Sequence, residues 1–383
     1  MRVVVVGGGI LGTMHALEAH RRGHEVVQLE RERAARGASV RNFGLVWVSG
    51  RAVGAELDLA LRARRRWGEI GHDVPGIGFR PHGSITTAQN PAELDVLTRA
   101  VSMADAQLRE FELLDPDAVA KVNPALAAAA ATGSLLGGLW CRQDAIVEPR
   151  DTCAAIARRL SLRGRYTLLT GRTAVESSAH TVRDQTGEVH TGDLVVLCPG
   201  AEHSGLAGTG LATAAVRRVR LQMLQTEPYP VEVTTSIADG DSLRYYPAYA
   251  DAGSAGLPPP SEMTARWHSQ LLLVQRLDGS LTIGDTHAYD EPFDFDLDEA
   301  PGEDLRGRAE VLLGQPLPPT RRRWAGVYSQ VTDDALCHRA WVAPGVVVVT
   351  GAGGRGMTCS PAIAEDTFEF AAAAAPTAPV AAA

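Results

Sequence analysis

The sequence predicts an α/β protein: a Rossmann-like dinucleotide-binding domain that carries an inserted antiparallel-sheet domain of α+β type. Three observations predict it. An apolar strand, Arg2–Val6, runs into Gly7-Gly8-Gly9-Ile10-Leu11-Gly12, a helix-compatible run to His20, a turn at Gly23-His24 and a second strand, Glu25–Leu29, ending on Glu30. Near the other end, the apolar strand Val346–Thr350 feeds Gly351-Ala352-Gly353-Gly354-Arg355-Gly356 and then a helix over Met357–Phe370. Between them lies a strand-rich stretch, Val216 to Ile283, that a simple doubly wound domain does not need.

The opening unit is a dinucleotide fingerprint with its parts in order. Gly7 allows the tight turn, Gly9 lets backbone approach a pyrophosphate, and Gly12 lets helix and strand pack closely. The pyrophosphate sits on the N–H groups and positive end of the helix that starts at Ile10 and Leu11. Glu30 follows Gly12 by 18 residues, close to the roughly 20 expected of a carboxylate that grips ribose hydroxyls. The bland alternative is a doubly wound domain with an unused turn.

After Glu30 come the basic run Arg31-Glu32-Arg33 and a polar loop, Gly37-Ala38-Ser39-Val40-Arg41-Asn42-Phe43-Gly44. Leu57–Ile70 has helical spacing, and its basic face (Arg62, Arg64, Arg65, Arg66) is read as solvated. Pro81–Thr86 reads as turn then strand, Glu93–Glu110 as helix, and Trp140–Ala145 as extended chain. Pro149 starts a helix over Asp151–Leu162 at a favoured first-turn position. Tyr166–Leu169, Ala174–Ser177, His180–Asp184 and Asp193–Cys198 read as short strands, the last stopped by Pro199-Gly200-Ala201. The loop Asp251–Ser261, with three consecutive prolines, is expected to be mobile, and the alanine-rich tail 371–383 to be disordered.

Composition narrows the function. The 383 residues carry a net charge of −8, which argues against nucleic-acid binding by bulk electrostatics and leaves any anionic substrate to local cations. The five cysteines show no paired or metal-ligand spacing, so no metal is expected and the thiols read as core residues of a reduced, cytoplasmic protein. The first strand begins at Arg2 and no 18-residue apolar run occurs, so neither a signal peptide nor a membrane span is expected.

Four segments in this order resemble the D-amino-acid oxidase and glycine/sarcosine oxidase superfamily of FAD enzymes. They are the N-terminal fingerprint, Val195-Val196-Leu197-Cys198-Pro199-Gly200-Ala201, Leu281-Thr282-Ile283-Gly284-Asp285-Thr286 and the C-terminal glycine turn. The segments Ala38–Gly44, Gly284-Asp285-Thr286-His287 and Gly351–Thr358 are similar to a narrower bacterial branch associated with organophosphonate catabolism. The resemblance implies an FAD-binding domain in three parts (1–80, 141–215, 321–370), a substrate domain in two (81–140, 216–320) and the tail. It also implies oxidation of a small amine, an aminophosphonate related to 2-aminoethylphosphonate, with oxygen or another electron acceptor. The alternatives are an oxidase of glycine, sarcosine or another small amino acid, and a partner-dependent FAD subunit of a larger complex. A nicotinamide-dependent dehydrogenase is weaker, since it leaves the C-terminal turn unexplained. Oligomeric state is not legible.

The same resemblance distributes FAD over the chain. Gly7, Gly9, Ile10, Leu11 and Gly12 take the pyrophosphate, Glu30 the ribose, and Arg31 either the adenine or phosphate, or solvent. Val175 matches a strand that holds adenine through backbone groups. Ser39, Arg41 and Asn42 match the loop nearest the flavin's middle, Gly200 a strand-end turn, and Gly351, Gly353, Gly356, Met357 and Thr358 a second backbone cradle. Some sarcosine-oxidising relatives attach the flavin through a cysteine near the segment that corresponds to Val327-Tyr328-Ser329; none lies there, so FAD is expected to be noncovalent. Where amino-acid oxidases place a carboxylate-clamping arginine, this chain has Tyr328. Cations for an acid group must then come from Arg41, Arg355 or Arg244, with Gln222, Gln270 and Tyr328 as further substrate contacts. Arg244–Tyr246 and His268–Gln270 are read as strands, and Tyr246, His268 and His287 as the catalytic candidates.

Overall fold

The computed structural model describes residues 1–211 and 214–373. Its first sheet has six strands in the order His338–Ala343, Val346–Thr350, Leu194–Leu197, Arg2–Val6, Glu25–Glu30, Tyr166–Thr170. All neighbours are parallel except the hairpin His338–Ala343 with Val346–Thr350. Such a sheet needs cover on both faces, which is why its strands are runs of valine rather than alternating patterns. Val3 and Val5 pack with Val347 and Val349 against the helices Ile10–Arg21, Ala55–Asp73 and Gly356–Ala373. Val4 points the other way, with Val195 and Val348, towards Val182 of a small three-stranded antiparallel sheet.

The second sheet has eight strands, in the order Thr320–Val331, Val216–Pro228, Ser280–Gly284, Leu272–Gln275, Ser236–Ala238, Ser84–Ala88, Gly137–Cys141, Phe111–Leu114. It is antiparallel apart from Ser236–Ala238 beside Ser84–Ala88. One face buries Leu224, Ile237, Leu273 and Ile283 under Leu305, Ala309 and Leu312 of the helix Glu299–Leu313. The other packs Leu221, Met223 and Leu272 against Phe43, Trp47 and Tyr246. This second face looks towards the first sheet and forms one wall of the site.

Several expectations are corrected. Thr320–Val331 pairs along its length with Val216–Pro228, so the eight-stranded sheet runs past the expected boundary at 321. Glu93–Glu110 is two helices, Pro91–Ala100 and Ala106–Arg109. Arg244 and Tyr245 lie in a helical turn, Ser242–Tyr245, and His268 caps the helix Glu262–Trp267 at φ 44°, so neither segment is a strand. The loop Asp251–Ser261 buries Ala252 and Leu257 and contains a turn at Ser254–Gly256. The basic helix face is not simply solvated: Arg62 makes a two-pronged pair with Asp366, and Arg66 pairs with Glu365. The tail from 374 to 383 lies outside the described residues. No described helix is long and apolar enough to cross a membrane.

Two buried charges fix the loop that reaches the site, Trp47–Arg51. Asp144 accepts hydrogen bonds from the Val48 and Ser49 N–H groups and from the Ser49 and Ser84 hydroxyls, at 2.5–3.1 Å. The fully buried Arg109 donates to the carbonyls of Val48, Ser49 and Arg51 at 2.6–3.0 Å and pairs with Asp105. Each leaves few unpaired polar atoms, the condition under which a buried ion is tolerated.

Candidate active site

Between the two sheets runs a cavity of about 1270 Å³. It begins at the first glycine turn. Gly7 has φ 108°, and a Cβ there would sit 2.4 Å from the Cys198 carbonyl oxygen. At Gly12 a Cβ would lie 2.0 Å from the Gly7 oxygen, so this glycine lets the helix lie on the turn. Leu11 and Gly12, in the first helical turn, have no acceptor within the helix and line the cavity. The Ile10 N–H is taken by the Ser39 hydroxyl at 2.8 Å, so Ser39 ties the second loop to the helix start. Glu30 is held at the end of its strand by the N–H groups of Gly8 and Glu32, at 2.5 and 2.9 Å. Arg31 stands near Glu202 at 3.5 Å, and Val175 is half exposed on the same wall.

At the far end the wall carries Gly200, Gly351, Gly353, Gly356, Met357 and Thr358. The Thr358 hydroxyl accepts from the Trp47 N–H at 2.9 Å and donates to the Leu45 carbonyl at 3.2 Å, joining the C-terminal helix start to the site loop. Asn42 lines the cavity, but its amide is spent on the Ala38 and Ser39 carbonyls and its oxygen on the Gly44 N–H. It shapes the loop and leaves no side-chain group for a cofactor.

Among the residues expected to meet substrate, Tyr246, Gln270, His287, Tyr328, Arg41 and Arg355 line the cavity, and Gln222, Arg244 and His268 do not. Gln222 alternates with Leu221 and Met223, which face the cavity, so its side chain points away. Arg244 binds Asp241 and the Pro258 carbonyl, away from the cavity. His268 is exposed, and its contribution is a carbonyl that accepts from His287 Nδ1 at 3.0 Å. Burial raises the phenols of Tyr245, Tyr246 and Tyr328 above the ordinary range, so they are hydroxyl donors at neutral pH and not bases.

The arginines are also unequal. Arg355 and Arg51 share Glu56, each at 3.4 Å. Arg31, Arg36, Arg172 and Arg218 on the same wall each have a carboxylate partner. Arg41 has none among the described residues and donates only to the Ala325 carbonyl, at 2.8 Å. Arg150, over the Trp324 ring at 5.0 Å, adds positive charge nearby, and Trp324 donates to the Arg41 carbonyl. Burial and the charges of Arg322, Arg321 and Arg41 hold Arg150 below its ordinary range.

Sequence reasoning missed Trp47, Arg51, Glu56, Tyr245, Asp285 and Tyr289, all on the cavity wall. It also missed that Asp184, Glu188 and His190 converge; the Arg172 guanidinium, 2.6 Å from Asp184 and 2.9 Å from Glu188, holds that cluster.

The wall fits a bound dinucleotide cofactor. Gly200 has open space where a Cβ would be, and Gly9 meets only the Ser39 hydroxyl there, so backbone is bared to the cavity at both turns. Three residues of the cavity wall each hold a buried polar atom without a hydrogen-bond partner among the described residues: Trp47 Nε1, Gln270 Oε1 and Asp285 Oδ1. Buried groups of this kind are normally satisfied, so their grouping on this wall fits a site built around a bound molecule.

Fold and site together define a flavin-type oxidoreductase. The sequence matches the FAD dependent oxidoreductase family (DAO) over residues 2–369, and the chain belongs to that family. Its fold is similar to glycine oxidase from Bacillus cereus ATCC 14579 (TM-score 0.76, 17% identity, covering 97% of this chain and 95% of that one). It is also similar to glycine oxidase from Geobacillus kaustophilus (0.74, 21%, 96% and 95%) and to iminodiacetate oxidase from Chelativorans sp. BNC1 (0.73, 17%, 99% and 98%). No curated protein matches the sequence.

Proposed function

We propose that this FAD enzyme oxidises a small amine that carries an acid group, an aminophosphonate related to 2-aminoethylphosphonate. The observation that carries the reading is Arg41, the cavity-wall arginine left without a carboxylate among the described residues. A guanidinium in that state is a seat for a substrate anion. The address where relatives clamp a carboxylate holds Tyr328, which favours an acid group of other geometry. The fold neighbours named for glycine and iminodiacetate support oxidation at a C–N bond, and glycine is the second reading because of them.

When bound, FAD accepts two electrons from the C–N unit, leaving an imine that water hydrolyses to an aldehyde. The chain's own residues hold and orient. Gly7–Gly12 and Glu30 hold the adenosine diphosphate end, and the turn Gly351–Gly356 with the first turn of the final helix offers N–H donors to the other end. Arg41 anchors the acid group, while Leu221, Met223, Leu272 and Phe43 keep that side of the cavity apolar. Fixing both ends of a small substrate is the main contribution such a site makes to rate.

Anaerobic titration of the yellow protein tests the reading through the flavin band near roughly 450 nm. Bleaching by 2-aminoethylphosphonate or its N-methyl or 1-hydroxy relatives, and not by glycine, sarcosine or D-alanine, is the expected result. Bleaching by the amino acids alone replaces it with the second reading. The flavin is held noncovalently in this account, so denaturation followed by filtration releases all of the yellow colour; colour retained on the polypeptide contradicts that.

A further inference from the structure

We propose that Asp285 is the base that takes the ammonium proton of the substrate, with His287 and Tyr245 setting the hydrogen bonds around it. The inference rests on the amine reading and not on the identity of the acid group.

Asp285 follows the strand Ser280–Gly284, and both of its backbone groups pair with Gln270, at 2.9 and 3.1 Å. The residue is therefore fixed in place. The residue is 6% exposed and lines the cavity, with the Gln270 side chain as a hydrogen-bonding neighbour of its carboxylate. Oδ2 lies 3.7 Å from His287 Nε2. No arginine or lysine pairs with it among the described residues, unlike Glu56, which Arg51 and Arg355 share.

The neighbours are hydrogen-bonded among themselves. His287 Nδ1 faces the His268 carbonyl at 3.0 Å; a carbonyl only accepts, so Nδ1 carries the proton. In the neutral ring Nε2 is then the acceptor, and it takes the Tyr245 hydroxyl at 3.0 Å. The Tyr245 and His287 rings stack at 4.7 Å, which holds that arrangement. Tyr245, Tyr246, Tyr289 and Tyr328 surround the carboxylate with neutral phenols, and Arg51, beyond Tyr246, is engaged by Glu56 and the Trp47 carbonyl. Gln270, whose side chain hydrogen-bonds Asp285, is not a base. Burial raises the Asp285 carboxyl above the usual carboxylate range, against the pull of His287, and so moves it towards the pH at which a general base works best.

An ammonium group in this corner meets the Asp285 carboxylate and aromatic faces, the surroundings that bind organic cations. Transfer then breaks one N–H bond of R–CH2–NH3⁺ and forms the O–H bond of the Asp285 carboxyl. The electron pair stays on nitrogen as R–CH2–NH2, the form able to lose a hydride from its carbon.

The test compares Asp285→Asn with wild-type holoenzyme by stopped-flow flavin reduction from acid to alkaline pH. The probe is 2-aminoethylphosphonate, or glycine if only glycine bleaches the wild type. The variant is expected to be slower at neutral pH by about 10²–10⁴-fold, the span of general-base catalysis. Its rate should climb with pH as free amine forms in solution. An unchanged rate and profile overturns the proposal. Failure of both probes to reduce the wild type overturns the amine reading and this inference with it, whereas failure of 2-aminoethylphosphonate alone touches only the substrate reading. Thermal melts give a readout independent of turnover. Because folding raises this carboxyl, the wild type loses stability as pH rises from the unfolded aspartate value to the native one. The melting temperature of Asp285→Asn relative to wild type should therefore rise across that window. A relative fall means a charge-stabilised structural carboxylate and overturns the proposal.

Discussion

Gly12→Ala should yield protein without flavin. The new Cβ would lie 2.0 Å from the Gly7 oxygen and 2.9 Å from its carbonyl carbon. Both are backbone atoms, and Gly7 is itself fixed at φ 108° against the Cys198 carbonyl. No rotamer change relieves the clash, so the helix must lift from the turn proposed to seat the pyrophosphate. Overpacking of this kind costs about 1–3 kcal/mol or more, and here the displacement falls on the cofactor seat. Gly307→Ala is the control: it lies on the exposed face of the helix Glu299–Leu313, where a Cβ meets nothing within 4 Å beyond the helix's own backbone, and should raise stability by up to about 1 kcal/mol. The ratio of flavin to protein absorbance and the melting temperature check both. A Gly12→Ala protein with full flavin content contradicts the cradle described above.

Arg41→Ala is expected to weaken binding of an acid-bearing amine by about one to two powers of ten, the worth of a charge-assisted hydrogen bond. The side chain is exposed, so solvent screening places the effect towards the lower figure, and it should shrink further as salt is raised. Arg355→Ala should do less to binding, because Arg355 is held by Glu56 and by the Leu336 carbonyl and part of the loss would be structural.

The fold was legible because its signals are local. A valine strand, a glycine turn and a helix start within a dozen residues state their geometry without reference to the rest of the chain, as do Val346–Thr350 and the turn after it. The site was legible where it is built from those turns. It was not legible where distant segments decide the chemistry. Arg41 and Arg355 look alike in sequence; Glu56, on another helix, separates them. The segment Gly284–His287 points to its histidine, yet the role proposed for Asp285 depends on tyrosines and a glutamine from other stretches that bury it without an arginine or lysine partner. Arg244–Tyr246 and His268–Gln270 alternate like strands, but they are short, and capping and turn geometry overrode a pattern that only three residues supported.

The most direct measurement is a comparison of 2-aminoethylphosphonate with ethylamine, its counterpart without the acid group, in wild type and Arg41→Ala. Dissociation constants come from the concentration dependence of anaerobic flavin reduction. The account predicts a clear preference for the phosphonate in wild type that largely disappears in the variant. Equal affinity for the two amines in wild type, or a preference that survives loss of Arg41 undiminished, would contradict it.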